Sequence, residues 1–498
     1  MMAMLVFLSG LLGCLIGTTQ SCLDRDSAHP FTGIVCRVTY PAALVLNEKT
    51  AQVIQAAFQH AQYPDIKGKR SLPVIGKAQY NLKNLQIYNL SIGRSEVELQ
   101  EDNGVGISIS NVSATFQGTI TYEYGNWFLK VRQSLDFEIE SHIDLVVNPK
   151  LYCGNGKVAA DTSDCYLTFH KLKLLLQGDR DPGWLKRVFT EFLSFTLKMV
   201  VKSQICKEIN NLANIMADFI QETAEHFLSD GDIGMDISIT SSPFITSKYI
   251  ESYHKGLARY NNHTAVINAS VFSPAQLTDH RMLYFWISDD VLNPLLTAAH
   301  QDGRFVRNIT GKELAGLFEM DLSTTMPTLL DQLLSSGNSV LEAWSMSMPH
   351  LWTTPQGTFV RSVAAVELTS GSDDSDAPAL YFEMEVEVVV RADYAERKLI
   401  LNATATQVSI LKGSFSPGKQ QLTEGQVEYL KEVVEKIGIP KVISYIEPGL
   451  TAVMNKQGLD LFDIMNPEVV SHQGYVIVQL DFGFPHHLLV DFLQKTLE

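Results

Sequence analysis

The sequence predicts an α+β protein of two domains with a similar plan, each coupling a twisted antiparallel sheet to a long helix. Three observations predict it. Apolar and polar residues alternate over long runs in both halves, the period-2 pattern of half-buried strands. Each half also holds a stretch whose apolar residues recur at helical spacing for longer than one compact core needs. Finally, a strand, a cap and an amphipathic helix follow one another near the start of each half, an echo in plan and not in identity.

The chain opens on "MMAMLVFLSGLLGCLIGTTQS", residues 1–21, an apolar run followed by small residues. It reads as a signal peptide cleaved near Ser21, although its start lacks the usual positive charge. Next, "ALVLNEKTAQVIQAAFQHAQYP" reads as a short strand, Asn47 as cap, and a helix with Val53, Ile54, Ala57, Phe58 and Ala61 on one face, stopped by Pro64. Strands follow between about 74 and 147: Ile107, Ile109, Val112, Ala114 and Phe116, then Leu135, Phe137 and Ile139, then Ile143, Leu145 and Val147. From Pro182, capped by Asp181, helical spacing persists through Phe227, which as a straight helix would reach roughly 65 to 70 Å at ~1.5 Å per residue.

A junction of turns and short strands follows in "SDGDIGMDISITSSPFITSKYIESYHKG". In "MLYFWISDDVLNPLLTAAHQDG" a strand leads to the cap Ser288 and a helix carrying Val291, Leu292, Leu295, Leu296 and Ala299. In "YFEMEVEVVV", Phe382, Met384, Val386, Val388 and Val390 oppose Glu383, Glu385 and Glu387, and 369–378 is a solvated loop. The second long helix starts at Thr423, with Gln426 completing a capping box. The chain ends "PHHLLVDFLQKTLE", 485–498, amphipathic as a helix: Leu488, Leu489, Phe492 and Leu493 oppose Asp491, Gln494, Lys495 and Glu498. Fully burying those four apolar side chains offers roughly 6 to 12 kcal/mol, against ~1 to 2 kcal/mol per residue to order the backbone, so docking of this tail is marginal and suits a lid.

Apolar residues make up 45% and charged residues 19% of 498, a globular composition. A net charge of −16 disfavours nucleic acid as the main partner. Beyond the leader no run is long enough to span a bilayer. Asn89, Asn111, Asn262, Asn268, Asn308 and Asn402 each begin an N-x-S/T sequon, which agrees with export. Cys22, Cys36, Cys153, Cys165 and Cys206 are odd in number, so at least one thiol stays free or pairs between chains.

No chemistry-bearing motif emerges. The G-x-S-x-G elbow is absent, its nearest approach being "GVGISIS" around Ser108 in an alternating strand. H-E-x-x-H and paired C-x-x-C spacings are absent too, so neither a metal nor another cofactor is expected. On spacing alone His254 is a surface or turn histidine and Ser252 is unremarkable.

The stretches "TGIVCRVTYPAALVLNEKTAQVIQAAFQ", "DCYLTFHKLKLLLQGDRDPGWLK", "QICKEINNLANIMADFIQ", "LSDGDIGMDISIT" and "LDFGFPHHLLVDFLQ" closely resemble the family of bactericidal permeability-increasing, lipopolysaccharide-binding and lipid transfer proteins. The resemblance is weak only between about 304 and 425. It implies an elongated boomerang of two barrel-like domains, each a twisted antiparallel sheet wrapped on a long helix, joined by a central sheet and followed by a C-terminal amphipathic helix. The expected domains are 22–228, a junction at 229–272, 273–484, and a lid at 485–498.

The resemblance also implies a disulfide between Cys165 and Cys206, polar tunnel positions at Gln221, Ser252 and His254, and lipid contact by Leu488, Leu489, Phe492 and Leu493. The implied function is non-enzymatic: a secreted plasma monomer that exchanges cholesteryl esters, triglycerides and phospholipids between lipoprotein particles through an apolar tunnel, with those lipids as cargo. Exposing an acyl chain of about 18 carbons to water costs on the order of 14 kcal/mol at ~0.8 kcal/mol per methylene, so a carrier needs only an apolar path and a gate. The alternatives are a phospholipid transfer or endotoxin-binding protein of the same fold, and an extracellular esterase without a recognised motif.

Overall fold

The structure, a computed structural model, describes residues 22–72, 76–101, 104–125, 130–177, 194–227, 229, 231–261, 263–267, 280–318, 322–335, 337–370, 377–395, 398–416, 418, 420–455 and 463–483. The expected signal segment 1–21, the expected helix start at Asp181 and Pro182, most of the expected loop at 369–378, Asn262, Asn268 and the terminal segment with Leu488, Leu489, Phe492 and Leu493 lie outside the described residues.

Strand β1 (Ile34–Thr39) runs straight into α1 (Tyr40–His60). This corrects the expected order of strand, Asn47 cap and helix. Thr39, extended, is the N-cap residue, and Pro41 sits in the first turn, where its fixed φ suits a helix and its missing N–H costs nothing. Asn47 is inside the helix, and its side chain exchanges hydrogen bonds with Ser95, Nδ2 donating to the carbonyl at 2.9 Å and Oδ1 accepting from Oγ at 2.7 Å. The apolar run "ALVL" looked strand-like because its residues serve two partners: Ala43 packs in a cluster with Leu99 and Ile245, Val45 in one with Leu480 and Phe482.

An antiparallel sheet follows: β2 (Ile66–Leu72), β3 (Gly76–Ser91), β4 (Ser95–Gln100), β5 (Gly104–Gly125) and β6 (Lys130–Val147); then come the hairpin β7 (Lys150–Gly154) and β8 (Lys157–Asp161), and β9 (Cys165–Leu176) beside β6. In β5 the apolar positions switch parity between Ile109 and Val112. Asn111, at φ 58°, forms a bulge there and the register with β6 shifts, so Ile107, Ile109, Val112, Ala114 and Phe116 all stay on the inner face. The long helix α2 (Ser194–Phe227) lays Leu197, Val201, Ile205, Ile209 and Leu212 against that face, and the Cys165–Cys206 disulfide fastens it to β9.

Short strands β10 (Gly234–Asp236), β11 (Phe244–Ile245), β12 (Tyr249–His254), β13 (Leu257–Tyr260) and β14 (His263–Thr264) occupy the expected junction. The second strand-to-helix unit is β15 (Leu283–Ser288) and α3 (Asp289–Gln301), with Ser288 Oγ accepting from Asp290 N–H. In both units the cap is the last strand residue, so the echo is closer than spacing implied. Helix α3 is tied to the second half by side chains one turn apart. Asp289 accepts from Thr353 N–H at 2.7 Å and from its hydroxyl at 2.5 Å, and Asn293 exchanges hydrogen bonds with both backbone groups of Leu351.

The second half continues with β16 (Val306–Thr310), α4 (Gly311–Leu317), α5 (Thr328–Ser335), β17 (Val340–Ser345), β18 (His350–Thr354), β19 (Gly357–Thr369), β20 (Ala379–Ala395), β21 (Lys398–Ser416) and β22 (Gln420–Gln421), again an antiparallel sheet. On β20 the glutamates take outer ion pairs, Glu383 with Lys412 at 2.7 Å and Glu387 with Arg361 at 2.5 Å, while Phe382 and Met384 join the core. Helix α6 (Glu424–Val433) starts on the expected capping box of Thr423 and Gln426. A π-turn over Val434–Gly438, in which Ile439 N–H reaches back to Val434 C=O, leads into α7 (Ile439–Asn455). Pro440 offers no N–H and its ring would crowd the carbonyl four residues earlier, which explains the widened turn just before it.

The chain closes with β23 (Asp463–His472) and β24 (Tyr475–Gly483), and these return to the beginning. One six-stranded sheet has the order β11-β12-β1-β15-β24-β23, so β1 of the first half pairs antiparallel with β15 of the second. Gly33 is needed at its edge: a Cβ there would lie 2.5 Å from Lys255 C=O and 2.6 Å from the Val291 side chain. A second disulfide joins Cys22 to Cys153, and among the described residues Cys36 is the free cysteine. Thiol labelling of the denatured, unreduced mature protein therefore titrates one thiol per chain, and Cys36→Ala removes it. A titre of zero, or three, would refute this pairing.

Candidate lipid-contact surface

The two faces of the shared sheet differ. One carries Val35, Arg37, Glu251, Tyr253, Tyr284, Trp286, Tyr475 and Ile477, each between 1% and 6% exposed. Arg37 donates to Glu251 Oε2 through Nε at 2.9 Å and through a terminal nitrogen at 2.5 Å, Tyr253 hydroxyl donates to the other carboxylate oxygen, and the guanidinium lies 3.7 Å from the centre of the Tyr249 ring. Tyr284 and Trp286 stack beside it. Every charge on this face is paired, and the face is closed.

The other face is apolar and covered at its ends, where Ile34 and Leu480 are buried, Val38 and Leu283 pack against the cluster of Ala42, Leu480 and Phe482, and Ile287 packs against the cluster with Val291; its middle stays partly accessible. Cys36 and Val38 of β1, Ile250, Ser252 and His254 of β12, Leu283, Phe285 and Ile287 of β15, and Val476 and Val478 of β24 share it through the ladder register, and all remain partly accessible. Cys36 and His254 nonetheless behave as interior groups. Burial pushes the Cys36 thiol up to about 12, with Glu251 adding to the effect, and burial holds the His254 imidazole below its ordinary 6.5.

The polar pair on this face is self-contained. Ile237 carbonyl can only accept, so His254 Nδ1 carries the proton and donates to it at 2.8 Å; Nε2 then accepts from Ser252 hydroxyl, also at 2.8 Å. Here the structure corrects the spacing-based reading: His254 ends a strand of the shared sheet and is neither a surface nor a turn residue, because neutrality and two hydrogen bonds let it sit on an apolar face. A serine donating to a neutral histidine is also the geometry of a nucleophile and its base. Ser252, however, is paired in mid-ladder opposite Cys36, away from any strand-to-helix elbow, and a ladder strand offers no converging N–H groups for an oxyanion.

Of the other expected site residues, Gln221 belongs to α2, but its side chain lies outside the described residues. Asn89, Asn111, Asn308 and Asn402 are exposed, each within a strand of one of the two flanking sheets. Cys36, Phe285, Val476 and Val478 were missed by motif reading. Their signal is the lack of alternation in "IVCRVT" and "LYFWIS", the mark of strands covered on both faces.

A family model described as LBP / BPI / CETP family, N-terminal domain, matches residues 44–220, and one described as LBP / BPI / CETP family, C-terminal domain, matches residues 228–483. The chain belongs to this family. It is 48% identical to the cholesteryl ester transfer protein of Gallus gallus over 489 residues, covering 97% of each chain. It is 44% identical to that of Homo sapiens over 485 residues, covering 97% of this chain and 98% of the other. The solved lipopolysaccharide binding protein superposes with a TM-score of 0.50 over 91% of this chain and 99% of its own at 16% identity, a likeness of fold. Family membership agrees with a mixed α+β architecture with an N-terminal and a C-terminal domain, and with the absence of catalytic geometry around Ser252.

The depressed His254 pKa has a signed consequence. Between the folded value and 6.5 the unfolded chain binds the proton and the folded chain does not, so stability is full above 6.5 and falls as pH drops below it. Parent protein should lose up to ~1.4 kcal/mol per pH unit there relative to His254→Gln in urea melts. Parallel pH profiles for the two proteins would contradict the assignment.

Proposed function

We propose that this chain is a secreted lipid transfer protein that moves cholesteryl esters and triglycerides, together with phospholipids, between lipoprotein particles along an apolar interior. The observation that carries the reading is the apolar, partly accessible face of the sheet that both halves share, set beside 44% to 48% identity to cholesteryl ester transfer proteins over 97% of the chain. A sterol ester cannot cross water at a useful rate, and a covered apolar path removes that barrier without bond chemistry. In this reading the halves 22–228 and 273–484 are barrel-like arms of a boomerang, the junction 229–272 and the shared sheet form its waist, Ser252, His254 and Gln221 mark the passage, and 485–498 is a lid whose Leu488, Leu489, Phe492 and Leu493 cover a mouth.

The test follows labelled cholesteryl ester from one lipoprotein population into another, with free cholesterol and fatty acid assayed in parallel. Val478→Phe narrows the waist and should slow ester transfer roughly tenfold, the effect of ~1.4 kcal/mol of added crowding, while leaving the melting transition in place. Deleting 487–498 should lower neutral lipid transfer more than phospholipid exchange. Release of fatty acid would instead favour an esterase, and transfer of phospholipid alone would favour a phospholipid or endotoxin carrier of the same fold.

A further inference from the structure

The second half contains a buried donor with nothing to donate to. Tyr429, on α6, is 1% exposed, and its hydroxyl has no hydrogen-bond partner among the described residues. Ser370 Oγ, at the end of β19 beside the 371–376 segment outside the described residues, shares this condition, whereas hydroxyls deeper in this half are satisfied: Ser339 donates to Leu333 carbonyl and Thr353 donates to Asp289. Leaving a buried phenol unpaired is costly, and phenylalanine would fill the same volume without that cost. The residue sits in the cluster that includes Leu333, Val366, Leu368, Leu380 and Phe382, and partly accessible apolar side chains such as Met384 and Val386 pack against that cluster. One turn further on the helix widens into the π-turn, a feature that recurs at functional positions.

We propose that Tyr429 is a ligand-positioning residue of the second half, its hydroxyl donating a hydrogen bond to the ester carbonyl of a bound neutral lipid. The chemistry selects the acceptor. The surroundings are apolar and would penalise a carboxylate or phosphate. Burial, with Glu432 nearby, raises the phenol pKa, so the group stays a donor. A carbonyl oxygen on an otherwise hydrocarbon molecule is the acceptor that matches. This rests on the reading that the chain carries esters, and it adds a means of telling an ester from an equally apolar ether.

The test loads lipid-depleted full-length protein from an equimolar mixture of cholesteryl oleate and cholesteryl oleyl ether and quantifies the bound lipids by mass spectrometry. A single neutral hydrogen bond should enrich the ester roughly three- to tenfold in the parent. Tyr429→Phe and Tyr429→Leu should both load the two lipids equally, so that failure of one variant to fold leaves the other to decide. Equal loading by the parent, or ester enrichment that survives in a variant, overturns the assignment alone. A parent that loads neither lipid overturns it together with the transfer reading.

Discussion

The architecture depends on the pairing of β1 with β15, which makes one sheet out of strands from opposite ends of the chain. The Arg37–Glu251 ion pair, 3% and 1% exposed, locks β1 to β12 on the closed side of that sheet. Buried pairs add little net stability over well-packed apolar residues, but removing one partner strands a charge and costs roughly 3 to 5 kcal/mol. The pair therefore acts mainly on register. A slip of one residue between β1 and β12 would place Arg37 and Glu251 on opposite faces of the sheet, breaking the pair and bringing one of the two charges onto the apolar face. Charges on one side thus keep the other side free of charge.

The two flanking halves use the same plan with different tightness. In the first, Ile109, Val112, Phe116, Ile139, Ile143 and Leu145 are all at most 1% exposed beneath α2. In the second, Met384, Val386 and Val388 of β20 and Ala403, Ala405 and Ile410 of β21 stay only partly buried around a smaller sealed core. Well-packed interiors leave few voids, so these partly buried side chains mark the less tightly packed of the two cores. Asp289 and Asn293 of α3 hydrogen-bond to Thr353 and Leu351 of β18, which ties this looser half to the helix that follows β15 of the shared sheet.

Much of the fold was legible because strands and helices here follow simple periods. The β5 pattern was readable even across its parity switch, since the bulge at Asn111 serves the pattern, and the Thr423 and Gln426 capping box announced α6. Asn47 misled because a cap-forming residue also makes a good side-chain partner for a neighbouring strand, and Pro41 was the better start signal. The π-turn before Pro440 is a compromise between packing and a missing N–H, which no period reveals. The site was less legible. Ser252 and His254 came from resemblance alone, and the apolar face around them has no motif, because a surface that must merely be greasy and uncharged can be built from many residues.

The central claim is that lipid lies against one face of the shared sheet and not the other. The most direct measurement loads the protein with a cholesteryl ester bearing a photoactivatable diazirine on its acyl chain, irradiates it, and maps the labelled residues by mass spectrometry. The account predicts label on Cys36, Phe285, Val476 and Val478 and none on Trp286, Tyr284 or Ile477. Label confined to the outer strands, or shared equally between the two faces, would contradict it.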